Sequence, residues 1–299
     1  MAKDLSNLPA AKADGGPKTG PSRPILMGEL STAWFTAKTA EEQRPTVVDG
    51  QRFRPSKAGS CSQALLYKAE GVEPTDPPDM AAHWSFHMGQ KVHDWFDEWA
   101  ETSVPGMLLE HQYVTQYPGI GQFGGNIDAY HPAFKPADSD KDPVSIAVEV
   151  KSINGLGYQQ VATQGPRESA LLQGAINAWG VGADYLVIVN MGLQVMTENA
   201  GRKKGLSHFP EQRFALEWWY PRNEFVPLAE AELARIAQAI DGNGGRRPLD
   251  IPVMAEITNP STGQWTELDD SGRTVNLGNT WMCGYCDYQS RCIEDVANS

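Results

Sequence analysis

The chain has 299 residues, 40% of them hydrophobic and 21% charged, which suits a globular protein with a real core in one large domain or two small ones. A formal net charge of −12 and a pI near 5.0 argue against a protein that coats nucleic acid by charge alone, yet leave room for one local basic channel. No run approaches the roughly 20 apolar residues of a membrane span, and the opening MAKDLSNLPAAKADGGPKTGPSRP lacks the apolar stretch of a secretory signal, so a cytoplasmic location with reduced thiols is expected.

In chain order, residues 1–25 read as a disordered tail rich in Gly, Pro, Lys and Ser. FRPSKAGSCSQALLYKAEG (53–71) reads as a loop entering a helix capped by Ser60 or Ser62, and GVEPTDPPDM (71–80) as a Pro-rich connection. AAHWSFHMGQKVHDWFDEWAE (81–101) has the clearest helical period, with Trp84, Met88, Val92, Trp95 and Trp99 on one apolar face. Residues 107–117 and 123–130 read as two strands joined through Gly119 and Gly121, followed by a polar turn over 130–143. VSIAVEVKS (144–152) alternates strictly and predicts a strand; RESALLQGAINAWG (167–180) predicts a helix ended by Gly180. DYLVIVN (184–190) and RFALEWWYP (213–221) read as strands and LAEAELARIAQAID (228–241) as a helix. This order predicts a mixed α/β (α+β) domain rather than a regular doubly wound sheet.

Side chains alternate along a strand, so Val144, Ile146, Val148 and Val150 face one way while Glu149 and Lys151 project together from the other face. A carboxylate there could hold a hard divalent cation, and an ammonium beside it could steady an attacking water or a phosphate. The same pair is equally read as a solvated charge pair. Upstream, Asp128 follows Gly124 and Gly125 within strand-like flanks, and the short turn makes it a plausible antiparallel neighbour of Glu149. On the long helix, Gly89 lies one turn before His93 on the same face. Glycine costs a helix interior about 0.8–1 kcal/mol against alanine, so close approach beside the imidazole is the functional reading and a half-buried histidine the bland one. Gln173 sits at the edge of the apolar seam Leu172, Ile176 and Trp179, where it could also be a plain surface glutamine.

The four cysteines are distributed as Cys61, far upstream, and Cys283-x2-Cys286-x5-Cys292 near the end. In a reducing compartment this density points to a metal or cluster site rather than disulfides, the alternative being buried structural cysteines. Arg202, Lys203 and Lys204 are candidate phosphate contacts, and Trp218, Trp219 and Tyr220 with Arg222 are candidate stacking residues for single-stranded bases, or equally a solvated loop and a core strand.

Taken in order, Cys61, Gly89-x3-His93, Asp128, Glu149-x-Lys151, Gln173 and Cys283-x2-Cys286-x5-Cys292 resemble the RecB-like branch of the PD-(D/E)XK nucleases, and within it the iron–sulfur exonucleases of the CRISPR-associated type and their phage-encoded relatives. The resemblance spans residues 53 to 292. It implies a central mixed sheet flanked by helices, a nuclease domain over residues 26–280, and a C-terminal iron–sulfur segment over residues 281–299 closing on Cys61. It implies Mg²⁺ or Mn²⁺ held by His93, Asp128, Glu149 and the Val150 carbonyl. Lys151 is then the catalytic lysine, Gln173 a support for substrate or lysine, and the four cysteines hold a 4Fe–4S cluster. Ile127 stands where many members have proline, and Asn177 where the family usually has tyrosine four residues after the glutamine. The function implied is a metal-dependent DNA exonuclease acting on DNA ends, chiefly single-stranded, in recombination, repair or end processing in a bacterial or phage-infected cell. The rivals are a non-catalytic zinc- or cluster-stabilised DNA-binding module, and a nuclease subunit active only with a helicase or integration partner; the partners left open are a homo-oligomer and a recombination or helicase protein.

Overall fold

The computed structural model describes residues 50–135, 140–194, 214–242, 256–259, 264–268, 274–279 and 286–297, together with Ser31, Trp34 and Thr36. By internal contacts the chain divides into Met1–Gln43 and Arg44–Ser299, and the second unit carries every element described below.

After a 3₁₀ turn at Pro55–Lys57 come α1 (Ser62–Ala69), α2 (Met80–Ser103), β1 (Leu108–Tyr117), β2 (Gly121–Phe134) and β3 (Val144–Ile153). These are followed by α3 (Gly155–Gln164), α4 (Glu168–Val181), β4 (Tyr185–Gly192), β5 (Ala215–Pro221) and α5 (Arg222–Ile240). A three-stranded antiparallel sheet, β6 (Glu256–Asn259), β7 (Gln264–Leu268) and β8 (Thr274–Asn279), precedes α6 (Gln289–Ala297).

The main sheet has the order β1-β2-β3-β4-β5. Its pairs are antiparallel except β3 with β4, which run parallel because α3 and α4 carry the chain back between them. The alternation read in β3 is what places two cores on the two sheet faces. Ala147 joins Leu186 and Ile188 under α4 and α5, whereas Ile146, Val148 and Val150 join Val187 and Met191 under Val92 of α2. α5 seats Phe225, Leu233, Ile236 and Ile240 at no more than 1% exposure, each worth about 1.5–3 kcal/mol of burial.

Several element ends differ from expectation. The α1 N-cap is Cys61 and makes no side-chain capping bond; the Ser62 hydroxyl, read as a candidate cap, instead accepts from Arg235 Nη1 at 3.2 Å. α2 begins as its capping signal directs, with the Asp79 carboxylate accepting from Ala82 N at 2.8 Å. Its predicted apolar face is only partly used: Val92 is 1% exposed, but Trp84, Trp95 and Trp99 remain 53%, 47% and 49% exposed. The buried line is Val92, Phe96 and Ala100, so the sheet covers a stripe offset from the tryptophans. β2 continues to Phe134, through residues expected to turn. α4 ends at Gly182, with φ 69°, rather than at Gly180. Gly180 lies inside the helix for a packing reason, since a Cβ there would come 2.3 Å from the Tyr113 ring. α5 starts at Arg222, ahead of the expected 228, and contains Pro227. α3, capped by Asn154 through the Gly157 amide at 3.1 Å, and the small sheet β6–β8 were not expected. No helix among the described residues is long and apolar enough to cross a membrane.

Candidate active site

Strands β1, β2 and β3 and helices α2 and α4 converge on a cleft of about 680 Å³ whose lining includes Arg54, His93, Glu110, Asp128, Gln173 and Asn177. His93 comes from α2, where Gly89 one turn earlier lets the helix approach β3: a Cβ on Gly89 would sit 3.3 Å from Ser152 Oγ. Asp128 comes from β2. Its Oδ1 lies 3.4 Å from His93 Nδ1, and its Oδ2 accepts from the Val150 amide at 2.6 Å. One carboxylate thus ties α2, β2 and β3 together.

The third donor is one that the sequence reading missed. His93, Glu110 and Asp128 each place a ligand atom within 4.8 Å of the others. Glu110 stands on β1, and the β1–β2 ladder pairs Leu109 with Ala129 and His111 with Ile127, passing over Glu110 and Asp128 between them. The ribbon changes face at this point. Ile127 and Tyr113 pack in the core under α4, while Ala129 and Leu109, two and four residues away, pack in the core under α2. Glu110 absorbs the change with φ 44°, the one positive value among the described non-glycine residues. Such a conformation costs a non-glycine residue about 1–3 kcal/mol and persists where its surroundings impose it. Hairpin register was the available signal: Tyr117 pairs with Gly121, and counting back from that turn sets Glu110 opposite Asp128.

Glu149 is 1% exposed. Its Oε1 lies 2.6 Å from Lys151 Nζ, an ionic contact outside hydrogen-bond angles, and its Oε2 accepts from Asn177 Nδ2 at 3.0 Å. Lys151 Nζ also donates to Gln173 Oε1 at 3.0 Å. The expected strand face therefore carries an ion pair between a buried carboxylate and a half-buried ammonium, rather than a fully solvated pair. Gln173 touches the lysine and Asn177 touches the carboxylate.

Burial works against the charge of both partners. It pushes the Glu149 carboxyl up, with Lys151 opposing; the Lys151 ammonium is held above its ordinary value because Glu149 outweighs its burial. His93 is likewise raised, burial being outweighed by the hydrogen bond and charge of Asp128. Asp97, one turn after His93, is pushed up to about 6 by burial and then by Glu110, with His93 opposing. These are hard oxygen and imidazole donors with an excess of negative charge, the chemistry that suits a small divalent cation.

A pH dependence follows. A cation at these donors needs His93 neutral and is helped by an ionised Asp97, so ion binding displaces protons from both. If the site holds a divalent cation, affinity for one such as Mn²⁺ will weaken as pH falls towards about 6. Calorimetry in two buffers of different protonation heat will give different binding enthalpies; equal heats in both would contradict this.

The cysteines fall as follows. Cys61, Cys286 and Cys292 are half-buried, and Cys283 lies outside the described residues. The segments around Cys61 and around Cys286 and Cys292 pack together. The Asp76 amide donates to the Asp287 carbonyl at 3.0 Å, Lys57 Nζ donates to Asp287 Oδ2 at 3.4 Å, and the rings of Tyr67 and Tyr288 stand 5.5 Å apart. Asp76 accepts from the Ser290 amide at 2.7 Å and hydroxyl at 2.6 Å, and Tyr67 donates to Asp295 at 2.5 Å.

Of the other expected contacts, Arg202, Lys203 and Lys204 lie outside the described residues. Trp218 and Tyr220 pack against core clusters, and Arg222 donates to the Ala183 carbonyl at 2.9 Å. Trp219 is 40% exposed beside Phe134 and Tyr185.

No protein-family model and no curated protein matches the chain. Among solved structures, that of SSO0001 is similar at 13% identity and a TM-score of 0.42, covering 70% of this chain and 86% of the other. The alkaline exonuclease LHK-Exo from Laribacter hongkongensis is similar at 14% identity and a TM-score of 0.36, over 71% and 95% of the two chains. Its complex with dAMP gives 13% and 0.39, over 64% and 91%.

Proposed function

We propose that the chain is a metal-dependent deoxyribonuclease that hydrolyses phosphodiester bonds at DNA ends. The observation that carries this reading is the convergence of His93, Glu110 and Asp128 within 4.8 Å in an open cleft, tied through the Val150 amide to a strand bearing the Glu149–Lys151 pair. His93, Glu110 and Asp128 would be the donors for Mg²⁺ or Mn²⁺; Glu149, which the family resemblance also implies as a donor together with the Val150 carbonyl, has its two oxygens engaged by Lys151 and Asn177 and stands outside this group. The bound ion would polarise the scissile phosphate and lower the pKa of a water.

The chain's own groups do the rest. Lys151 keeps its proton through Glu149 and offers an ammonium to the charge that develops on phosphorus oxygens. Gln173 orients that ammonium. Arg54, the basic residue of the cleft lining, meets the incoming backbone. Hydrolysis forms one P–O bond to water and breaks one to the sugar, and the water's proton ends on the leaving hydroxyl. Cys61, Cys283, Cys286 and Cys292 would hold a 4Fe–4S cluster, which would fasten the end of the chain to the α1 region; soft thiolates suit iron–sulfur, as hard oxygens suit magnesium.

The test is a digestion time course on end-labelled single and double strands with the purified protein. Cleavage in Mg²⁺ or Mn²⁺, loss in EDTA, and binding without turnover in Ca²⁺, which prefers more ligands and looser geometry, are expected. Full activity in EDTA would refute a metal mechanism. Metal binding without cleavage of any DNA would favour the binding module or the partner-dependent subunit.

A further inference from the structure

The site continues inward through two residues with no role in the reading above. Tyr113 of β1 donates its hydroxyl hydrogen to Asn177 Oδ1 at 2.8 Å, and Asn177 Nδ2 donates to Glu149 Oε2 at 3.0 Å. The chain of contacts ends on Lys151 Nζ, 2.6 Å from Glu149 Oε1. Tyr113, Asn177 and Glu149 are 7%, 1% and 1% exposed, so water does not compete for these bonds.

We propose that Tyr113 and Asn177 are positioning residues for Lys151: the tyrosine sets the amide, the amide sets the Glu149 carboxylate, and the carboxylate sets the ammonium. The proposal rests on the nuclease reading only in calling that lysine catalytic.

The direction of each bond supports it. An ionised carboxylate only accepts, so the amide must turn its NH₂ towards Glu149. That leaves Asn177 Oδ1 pointing away, and a buried carbonyl oxygen there needs a donor, which the Tyr113 hydroxyl supplies. Without that hydroxyl the amide has less to stop it flipping and presenting oxygen to oxygen. With Oε2 engaged by Asn177, Glu149 has Oε1 left for the lysine.

Gln173 and Asn177 are one helical turn apart, so a single face of α4 gives one amide to each member of the ion pair. Glycines make the approach possible. A Cβ on Gly180 would come 2.3 Å from the Tyr113 ring, one on Gly125 would come 3.2 Å from both Asn177 Oδ1 and Tyr113 Cε1, and one on Gly174 would come 3.3 Å from Glu149 Cβ. Three glycines on two elements crowd the same three side chains, more than satisfying one buried asparagine requires.

The experiment uses the full chain with Tyr113→Phe, which keeps the ring, and Asn177→Leu, which keeps the approximate volume. Two readouts are taken beside the melting temperature. The first is the rate at which an amine-reactive reagent labels Lys151, read by peptide mass spectrometry. The second is the split of kcat from KM on DNA. We expect Lys151 to label several-fold faster in both variants, and kcat to fall about 10- to 100-fold with KM little changed, the usual size for loss of a group supporting an active-site residue. A purely structural role would lower the melting temperature while leaving labelling and kcat in the folded fraction as in the unsubstituted protein, and that result overturns the proposal. Tyr113→Phe decides the matter should Asn177→Leu fail to fold. If the unsubstituted protein cuts no DNA, the nuclease reading falls, and the labelling rates still decide whether the two residues position the lysine.

Discussion

Alanine at Asp128 or Lys151 will reduce DNA cleavage by at least about 10²–10³-fold, the loss typical when one preorganised electrostatic group leaves a reacting centre. The two variants will differ in what else they lose. Asp128→Ala removes an ion donor, the partner of His93 and the acceptor for the Val150 amide in one step. It will therefore lose Mn²⁺ affinity together with activity. Lys151→Ala keeps His93, Glu110 and Asp128 and will bind the ion, but it leaves Glu149 buried beside Asn177 without its counter-charge. Removing one partner of a buried pair costs about 3–5 kcal/mol unless the orphan is neutralised.

Neutralisation has a direction that can be checked. Burial and Asp128 both push Glu149 up, and Lys151 is the main group opposing them. In Lys151→Ala the folded-state carboxyl lies well above its unfolded value, so the folded state binds more protons. Stability is then fully present at pH below the unfolded value and is lost as pH rises towards the folded one, the reverse of the behaviour of an ordinary paired carboxylate. Replacing Glu149 by glutamine as well will remove that pH dependence without restoring cleavage. Single-turnover rates, Mn²⁺ titrations and melting curves between acid and neutral pH measure all three quantities. Cleavage by either purified single variant near the unsubstituted rate would sink the assignment of the site.

The parts of this site legible in the sequence are those encoded by local period. Alternation in VSIAVEVKS predicts that Glu149 and Lys151 share a face, and they touch. Helical spacing sets Gly89 beside His93, and both line the cleft. Glu110 was illegible locally because its partner lies across a hairpin; only the register of β1 on β2 brings it to Asp128. Asn177 was read as a departure from a pattern, and its contacts explain it: its amide spans the gap between a strand carboxylate and a tyrosine from another strand. Gly180 was read as a helix stop because a glycine near a helix end usually is one; its real constraint is the Tyr113 ring. The tryptophans of α2 follow helical period faithfully, yet period says which residues share a face and not which face a sheet will cover.

If the four cysteines hold the proposed cluster, replacing Cys61 by serine will remove it and loosen the end of the chain as thoroughly as replacing Cys286, though the two lie far apart in sequence. Apart from the buried ring contact of Tyr67 with Tyr288, the contacts between the α6 and α1 regions are polar and individually weak. Lys57 and Asp287 form an exposed pair at 3.4 Å, of the kind worth about 0–1 kcal/mol. The hydrogen bonds of Asp76 to Ser290 are solvent-exposed, and that of Tyr67 to Asp295 is part-buried. Contacts of this kind can place the cysteine-bearing segments together but resist fraying poorly, and a cluster with four thiolate ligands would close the intervening chain far more firmly. Such a cluster needs all its ligands, so one serine will release both ends.

Iron and sulfide content, visible absorption and melting temperature of Cys61→Ser and Cys286→Ser decide the matter, with Asp76→Ala as the control. That control weakens docking without touching a thiol, so it will keep full iron while melting slightly earlier. Iron retained in Cys61→Ser and lost in Cys286→Ser would break the link between the two ends. Zinc in place of iron and sulfide would leave the clamp in place but change its metal.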